Sequence, residues 1–300
     1  MYHHPVLLEE SLNGLNIQQG GTYIDFTYGG GGHAKAILEK LEDGRLIAFD
    51  LDPEAEKNLV MDKRMLFIRG NFKYVRNYLR YYGITSIHGA LADLGVSSHH
   101  FDVAERGFSF RFDSKIDMRM NPEAAKSAAD ILNQYPEEEL RTMFSKYGEL
   151  NNAGRLAGAV CNARSRLKIL TTGEFVEAIR DCIPPRGEQK FLARVFQALR
   201  IEVNDELESL KQMLEQTVGF MNKGGRLVIL SYHSLEDRMV KNFFRTGNVE
   251  GIIEKDFYGN VISPLKQVNR KIIQPGLAET EQNPRARSAK LRIAEKRTDS

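Results

Sequence analysis

The sequence predicts an α/β fold, a parallel sheet with helices on both faces, interrupted by an all-helical insertion. Three observations carry this. Strand-length apolar runs alternate with helix-spaced segments over the first hundred residues, the pattern of a parallel sheet. From Ser127 to about Asn204 only helical spacing occurs. After Gly224-Gly225 the run RLVILS returns to strand character. Residues 1–121 and 206–300 are therefore expected to form two parts of one sheet domain, with 122–205 inserted. A chain of 300 residues buries roughly three quarters of its unfolded surface, so a large core is feasible.

The elements follow in order. Thr22–Phe26 is a short strand rich in β-branched and aromatic residues, and a glycine cluster follows it. Ala34, Ile37, Leu38 and Leu41 give His33–Leu41 helical spacing. Arg45–Asp50 is the second strand. Pro53 then suits the first turn of a helix capped by Asp52. Met65–Arg69 is a third strand, Phe72–Tyr82 a helix and Ile87–Leu94 a fourth strand. Ser97–Asn121 is a long, charged, aromatic loop. In the helical stretch, Ser127 and Thr172 read as N-caps, Pro136 as a first-turn proline and Gly148 as a stop. Pro184-Pro185-Arg186-Gly187 breaks the pattern. Glu206–Met221 carries an apolar face through Leu207, Leu210, Met213, Leu214, Val218 and Met221. Ile272-Ile273 and Leu291-Arg292-Ile293 are candidates for a final antiparallel pair.

Charge is uneven. The 42 Lys/Arg and 40 Asp/Glu leave a net +2, which excludes a bulk polycation but not a local patch. Val261–Ser300 holds nine Lys/Arg against four Asp/Glu, a net +5 that leaves −3 for the rest. Arg285, Arg287, Lys290, Arg292, Lys296 and Arg297 crowd together there. They read either as a solvated, frayed end or as a phosphate-contacting patch. Two cysteines, Cys161 and Cys182, are too few for a disulfide framework and read as small core thiols in a reducing compartment. Glu9 and Glu10 stand where a signal peptide would be cationic and then apolar, and no apolar run approaches a membrane span. A cytoplasmic protein with no membrane partner is expected.

Residues 25–33 read DFTYGGGGH. Glycines between a strand and a helix let the backbone approach a ligand, and the helix start offers free N–H donors. Gly29, Gly31 and Ala34 satisfy G-x-G-x-x-G/A, and Asp50 ends the next strand where a ribose hydroxyl would be met. This spacing serves a nicotinamide dinucleotide or S-adenosylmethionine (SAM). Asp25 favours SAM, because an acid there repels a pyrophosphate but suits an ammonium group. Phe72 is placed to pack against an adenine or into the core. Asp93, at a strand tip beside Gly95, Ser97 and Ser98, is the first active-site candidate. Arg106, Phe108, Phe110, Arg111, Phe112 and Arg119 form a basic, aromatic loop of the kind that grips RNA, although each Phe equally suits the core. In Tyr232–Asp237, Ser234 reads as an N-cap with Asp237 at its third position, and His233 either precedes that cap or holds RNA. His3 and His4 read as structural residues or pocket walls. No His/Cys cluster has metal-ligand spacing, so no metal is expected.

Together the blocks HHPVLLEE, DFTYGGGGH, DLGVSSHHFD, RGFSF, DMRM, FQALRIEVNDEL, GGRLVILSYHSLEDR and NPRARSAKLR resemble the bacterial ribosomal RNA small subunit methyltransferase H family over nearly the whole chain. The resemblance implies a Rossmann-like SAM-dependent methyltransferase sheet with a helical substrate-recognition insertion. The implied activity is methylation of the exocyclic 4-amino group of a cytidine in the decoding region of 16S rRNA. The implied SAM contacts are Gly31, Gly32, His33, Asp50, Phe72, Asp93 and His100, the last standing where the family has Gln. Asp93 becomes the expected proton acceptor, with the Ser97 and Ser98 hydroxyls assisting. Arg106, Phe108, Arg111, Arg119, His233, Arg285 and Arg287 become the expected RNA contacts. The partner is 16S rRNA, expected within the small subunit, and a homodimer is left open. The chain departs from the family at Ser114-Lys115, at KFLAR (190–194) and at Leu150-Asn151-Asn152. A nicotinamide-dependent oxidoreductase and a non-catalytic RNA-binding factor remain the competing readings.

Overall fold

The structure is a computed structural model that describes residues 5–95 and 104–298. The described residues up to Gly95, with those from Leu207 onward, form one compact unit; those between, through Glu206, form another. The loop residues 104–121 thus cluster with the helices rather than with the sheet, so the sheet part ends earlier than residue 121.

The first unit holds a seven-stranded sheet in the order β3-β2-β1-β4-β5-β7-β6. Its strands are β1 (Thr22–Asp25), β2 (Arg45–Asp50), β3 (Met65–Arg69), β4 (Ile87–Asp93), β5 (Met221–Ser231), β6 (Leu265–Gln267) and β7 (Lys290–Lys296). Strands β1 to β5 pair in parallel, and β7 runs antiparallel between β5 and β6. The sheet is covered on both faces, which explains apolar runs such as LIAF and LVIL in place of strict alternation. Ile24, Ile47, Phe49, Ala90 and Ile229 face α3 (Val75–Tyr81), α9 (Glu206–Phe220) and α10 (Ser234–Thr246). Tyr23, Leu46, Ala48, Leu91 and Val228 face α1 (Leu8–Leu15) and α2 (Gly32–Lys40).

The basic C-terminal segment is ordered, not frayed. Leu291, Ile293 and Ala294 are buried within β7, and Ile273 meets Leu291 only as an isolated bridge. Lys290 and Arg292 reach the Asp237 carboxylate at 3.2 and 2.7 Å. Lys296 donates to the Val218 and Met221 carbonyls, and Arg297 to that of Leu265. Four of the six crowded cations are thereby committed to the fold.

The second unit packs α4 (Ala128–Gln134), α5 (Glu137–Gly148), α6 (Ala153–Arg164), α7 (Thr172–Ala178) and α8 (Glu188–Asn204) around Ile131, Phe144, Leu156, Phe175 and Val195. Ser127 caps α4 in a capping box with Asp130, as its position suggests. For α7 the cap is Thr171, not Thr172, because Glu174 lies at its third position and completes the box. Cys182 and Cys161 pack in this core, and burial pushes the Cys182 thiol up. Asn204 pins the 104–121 segment, accepting from the Met120 N–H and donating to the Met118 carbonyl, both at 2.8 Å.

Candidate active site

The site is built on the carboxyl ends of β1, β2 and β4, where ligands of open α/β sheets bind. The turn after β1 needs two of its glycines for different reasons. Gly31 sits at φ +77°, and a Cβ there would lie 2.7 Å from the Tyr28 hydroxyl. At Gly32 a Cβ would lie 2.2 Å from Pro5. The loop is stapled from below: Asp50 Oδ2 accepts from the Gly29 N–H at 2.7 Å, and Asp50 Oδ1 from the Asp52 N–H at 2.8 Å. Asp50 thus ends β2 with its carboxylate fixed against the glycine turn. A carboxylate fixed at this strand tip suits a ribose diol.

Asp25 is fully buried at the end of β1. Its Oδ1 accepts from the Thr27 N–H at 3.0 Å, while Oδ2 has no hydrogen-bond partner among the described residues. Burial pushes its carboxyl up to about 6; the His33 ring works against this, and the charges of Asp93 and Asp50 add to it. A buried carboxylate oxygen lacking a donor, beside a glycine loop, fits the ammonium group of SAM and disfavours a pyrophosphate.

Asp93 ends β4, and its backbone N–H donates to Thr27 Oγ1 at 2.7 Å. Its Oδ1 accepts from Tyr232 Oη at 2.6 Å, and its Oδ2 lies 3.9 Å from His33 Nδ1. The carboxyl is pushed up to about 7, first by burial, with the Tyr232 hydrogen bond pulling it back and the Glu236 charge raising it. The side chain keeps 23% of its exposed area, so a ligand can reach it. Burial and then the Asp93 charge raise the Tyr232 hydroxyl well above the usual tyrosine range, which keeps it a donor. Tyr232 is the site residue that sequence reasoning missed. The pairing comes from the sheet: β4 and β5 are neighbours, Asp93 pairs in register with Leu230, and Tyr232 stands two residues on; the sequence shows only that Tyr232 follows a strand.

Phe72 is half-buried and packs edge-on against Phe26 at 6.0 Å, so it serves the core with part of its surface still accessible. His33 is buried in the first turn of α2. Ser97, Ser98 and His100, like His3 and His4, lie outside the described residues.

Four expected RNA contacts have other tasks. His233, 9% exposed, is itself the N-cap of α10 in a capping box with Glu236, so Ser234 is not the cap. His takes the role because Glu236 reaches back to the Tyr232 and His233 N–H groups. Asp237 is left to pair with Lys290 and Arg292. Phe108 is 5% exposed in the helical core and offers no face to a base. Arg106 donates to the Arg119 and Met120 carbonyls. Arg119 is held by Asp117 at 2.7 Å and by the Ala124 carbonyl. Arg111 remains exposed beside the half-exposed Phe112. Arg285 and Arg287 are exposed on a 3₁₀ turn (Pro284–Ser288) fixed by the buried Ala286.

A dinucleotide-binding sheet runs 3-2-1-4-5-6. Here an antiparallel strand is wedged between β5 and β6, and an acid underlies the glycine turn. The class that this sheet and this turn define is the SAM-dependent methyltransferases.

The chain belongs to the MraW methylase family, whose model matches residues 1–297. It is 57% identical over 298 residues to the ribosomal RNA small subunit methyltransferase H of Phocaeicola vulgatus, covering 99% of this chain and 98% of that protein. The same-named proteins of Bacteroides thetaiotaomicron and Porphyromonas gingivalis (ATCC 33277) are 57% and 53% identical. Each covers 99% of this chain, which in turn spans 98% and 97% of their lengths. With the family, the nicotinamide reading falls.

Proposed function

We propose that this protein methylates the exocyclic 4-amino group of a cytidine in the decoding region of 16S rRNA, acting in the cytoplasm on the small ribosomal subunit. The observation that carries the chemistry is the Tyr232–Asp93 hydrogen bond at the β4 tip. The rRNA assignment is supported by the name that the relatives share.

Bound SAM supplies an electrophilic sulfonium methyl, so the protein's main task is alignment. Asp25 receives the ammonium group, Asp50 the ribose hydroxyls, and Gly31, Gly32 and His33 line the turn between them. Phe72 walls the adenine, and His100 contributes a polar contact.

The cytosine amine is a poor nucleophile because its lone pair is delocalised into the ring. Asp93 accepts a hydrogen bond from that amine, favours pyramidal nitrogen, and takes the proton released as the N–C bond forms and the methyl–sulfur bond breaks, its electron pair leaving on sulfur as a neutral thioether. A carboxyl poised near 7 suits both accepting and releasing that proton. Tyr232 orients the carboxylate, and the Ser97 and Ser98 hydroxyls assist. A base inside a duplex must be unstacked to reach this point. Arg111, Arg285 and Arg287 contact phosphates, and the helical unit recognises substrate.

The test is methyl transfer from labelled SAM to unmethylated small subunits and to protein-free 16S rRNA, with the modified nucleotide mapped. Transfer to a cytidine N4, abolished in Asp50→Ala, is expected. Transfer to another atom, or to no rRNA, sinks the proposal, and the latter favours a non-catalytic assembly factor.

A further inference from the structure

Between Asn71 and Ala92 the sequence contains no Asp or Glu, in a chain whose first 260 residues sum to −3. The same stretch carries Lys73, Arg76 and Arg80, spaced i, i+3, i+7, and Tyr74 and Tyr81, spaced i, i+7. On a helix these spacings make two adjacent stripes. The structure turns Tyr74, Arg76, Arg80 and Tyr81 outward; Lys73, half-buried, lies with Tyr74 on the 3₁₀ turn Phe72–Tyr74 that leads into α3. Tyr74 and Tyr81 are 51% and 82% exposed, Tyr82 at the helix end is exposed, and Arg76 and Arg80 are exposed with no acid paired to them among the described residues.

Val75 and Leu79 bury the opposite side of α3, and Tyr78 packs edge-on against Phe49 at 5.6 Å. The helix is held rigidly from elsewhere in the unit: Gln216 of α9 accepts from the Arg76 N–H at 3.1 Å and donates to the Lys73 carbonyl at 2.8 Å. Lys73 Nζ already lies 5.3 Å over the Tyr74 ring, and Tyr81 and Tyr82 meet edge-on at 5.0 Å. Single exposed aromatics are ordinary. Three of them, interleaved with three cations and no acid on a pinned helix, are not explained by solvation.

We propose that the outward face of α3 is an RNA-contacting surface, with Arg76 and Arg80 on phosphates and Tyr74 and Tyr81 stacking on unpaired bases. Charge complementarity selects this partner. Tyrosine and arginine also mark protein interfaces, but residues 71–92 hold three cations and no acid, and cations for the backbone interleaved with rings for the bases are what nucleic-acid surfaces combine. The face begins one residue after Phe72, so RNA lying on it would approach the strand tips that carry the candidate active site. The proposal deepens the reading of an rRNA substrate and rests on it.

Two measurements test it. First, binding of 16S rRNA without turnover is followed against salt for wild type and Arg76→Ala/Arg80→Ala. Losing two phosphate contacts should flatten the slope of log K against log[salt] by roughly 1.4 to 1.8. The KM for rRNA substrate should rise roughly tenfold with kcat and SAM affinity unchanged, which also certifies folding. Second, Tyr81 is replaced by a photo-cross-linking phenylalanine analogue and irradiated with unmethylated small subunits. An adduct to 16S rRNA is expected. An unchanged slope and KM, an adduct to a ribosomal protein, or no adduct overturns the proposal. If wild type methylates no rRNA, the activity reading fails, while the salt slope still reports on this face.

Discussion

Tyr232 Oη donates a 2.6 Å hydrogen bond to Asp93 Oδ1, although 139 residues separate them in sequence. Adjacent parallel strands bring the two tips together, and the helical unit is spliced between them without disturbing the pair. Removing the donor should raise the Asp93 carboxyl above about 7, because that bond is what pulls it back. A hydrogen bond to a charged group is worth about 1.5–3 kcal/mol, or one to two pKa units. In Tyr232→Phe the acid limb of the kcat–pH profile should therefore move alkaline by about one unit. Activity should fall roughly fivefold at pH 7 and recover almost fully by pH 9. An unmoved limb would detach Tyr232 from the chemistry.

Asp93→Asn removes the proton acceptor while keeping the shape of the carboxyl. Methyl transfer should drop by roughly 10²–10⁴ above about pH 7, with a smaller deficit in acid, and SAM binding by calorimetry should weaken far less. For wild type the sign is fixed: the ionised form is the acceptor, so turnover falls as pH drops through about 7. Full turnover in the folded variant would remove Asp93 from the role.

Asp25 makes an opposite pair of predictions for stability and binding. Its folded carboxyl, near 6, binds protons more tightly than an unfolded aspartate near 3.8. Stability should therefore decline as pH rises from about 4 to 6 and stay reduced above that. Asp25→Asn still accepts from Thr27 and relieves a charge penalty of about 3 kcal/mol at most. It should melt higher than wild type at pH 8 and equal it below pH 4. SAM binding should weaken in the same variant, and in wild type should strengthen as pH rises through about 6.

The glycine turn can be tested against a control with similar backbone. Gly83 also has positive φ, at +66°, but a Cβ there meets nothing within 4 Å. Gly83→Ala should lose only about 1 kcal/mol from the left-handed conformation. Gly31→Ala adds a clash with Tyr28, and Gly32→Ala one with Pro5. Each should lose roughly 2–3 kcal/mol by denaturant titration, the range of overpacking, together with SAM affinity.

Asp237 holds the C-terminal strand through two cations. Burial raises its carboxyl, but Arg292 and then Lys290 outweigh this and leave it below the usual range. This stabilisation is present above about pH 4 and is lost as pH falls further. Asp237→Ala strands two partly buried cations and should lose roughly 3 kcal/mol at pH 7, with a much smaller deficit in acid.

How far the sequence spoke can be traced in single residues. The strands Arg45–Asp50 and Met65–Arg69 are found where their apolar runs place them, because the signal is local: the first is buried on both faces and the second, at the sheet edge, is half-buried. Asp50 is at its strand tip because the glycine-to-acid spacing encodes one βαβ unit. Phe108 was undecidable, since its burial depends on Ile131, Phe144 and Phe196, far along the chain. Arg292 carried no mark separating it from Arg287, yet one meets Asp237 and the other meets solvent. The error at His233 was of another kind: Ser is the stronger intrinsic cap, but Glu236 two residues beyond it fixed the box one position earlier.

The wedged strand also sets an order of events during synthesis. β7 lies between β5 and β6, so both of these wait for residues 290–296 before their facing edges are satisfied. The nascent sheet can assemble β3, β2, β1 and β4 early, then must hold an open edge through the whole helical unit and beyond. A ribosome that stalls after β6 would present that unpaired edge to its surroundings, the condition in which strands recruit the wrong neighbour. Synthesis of residues 290–296 is thus also the step that closes the sheet.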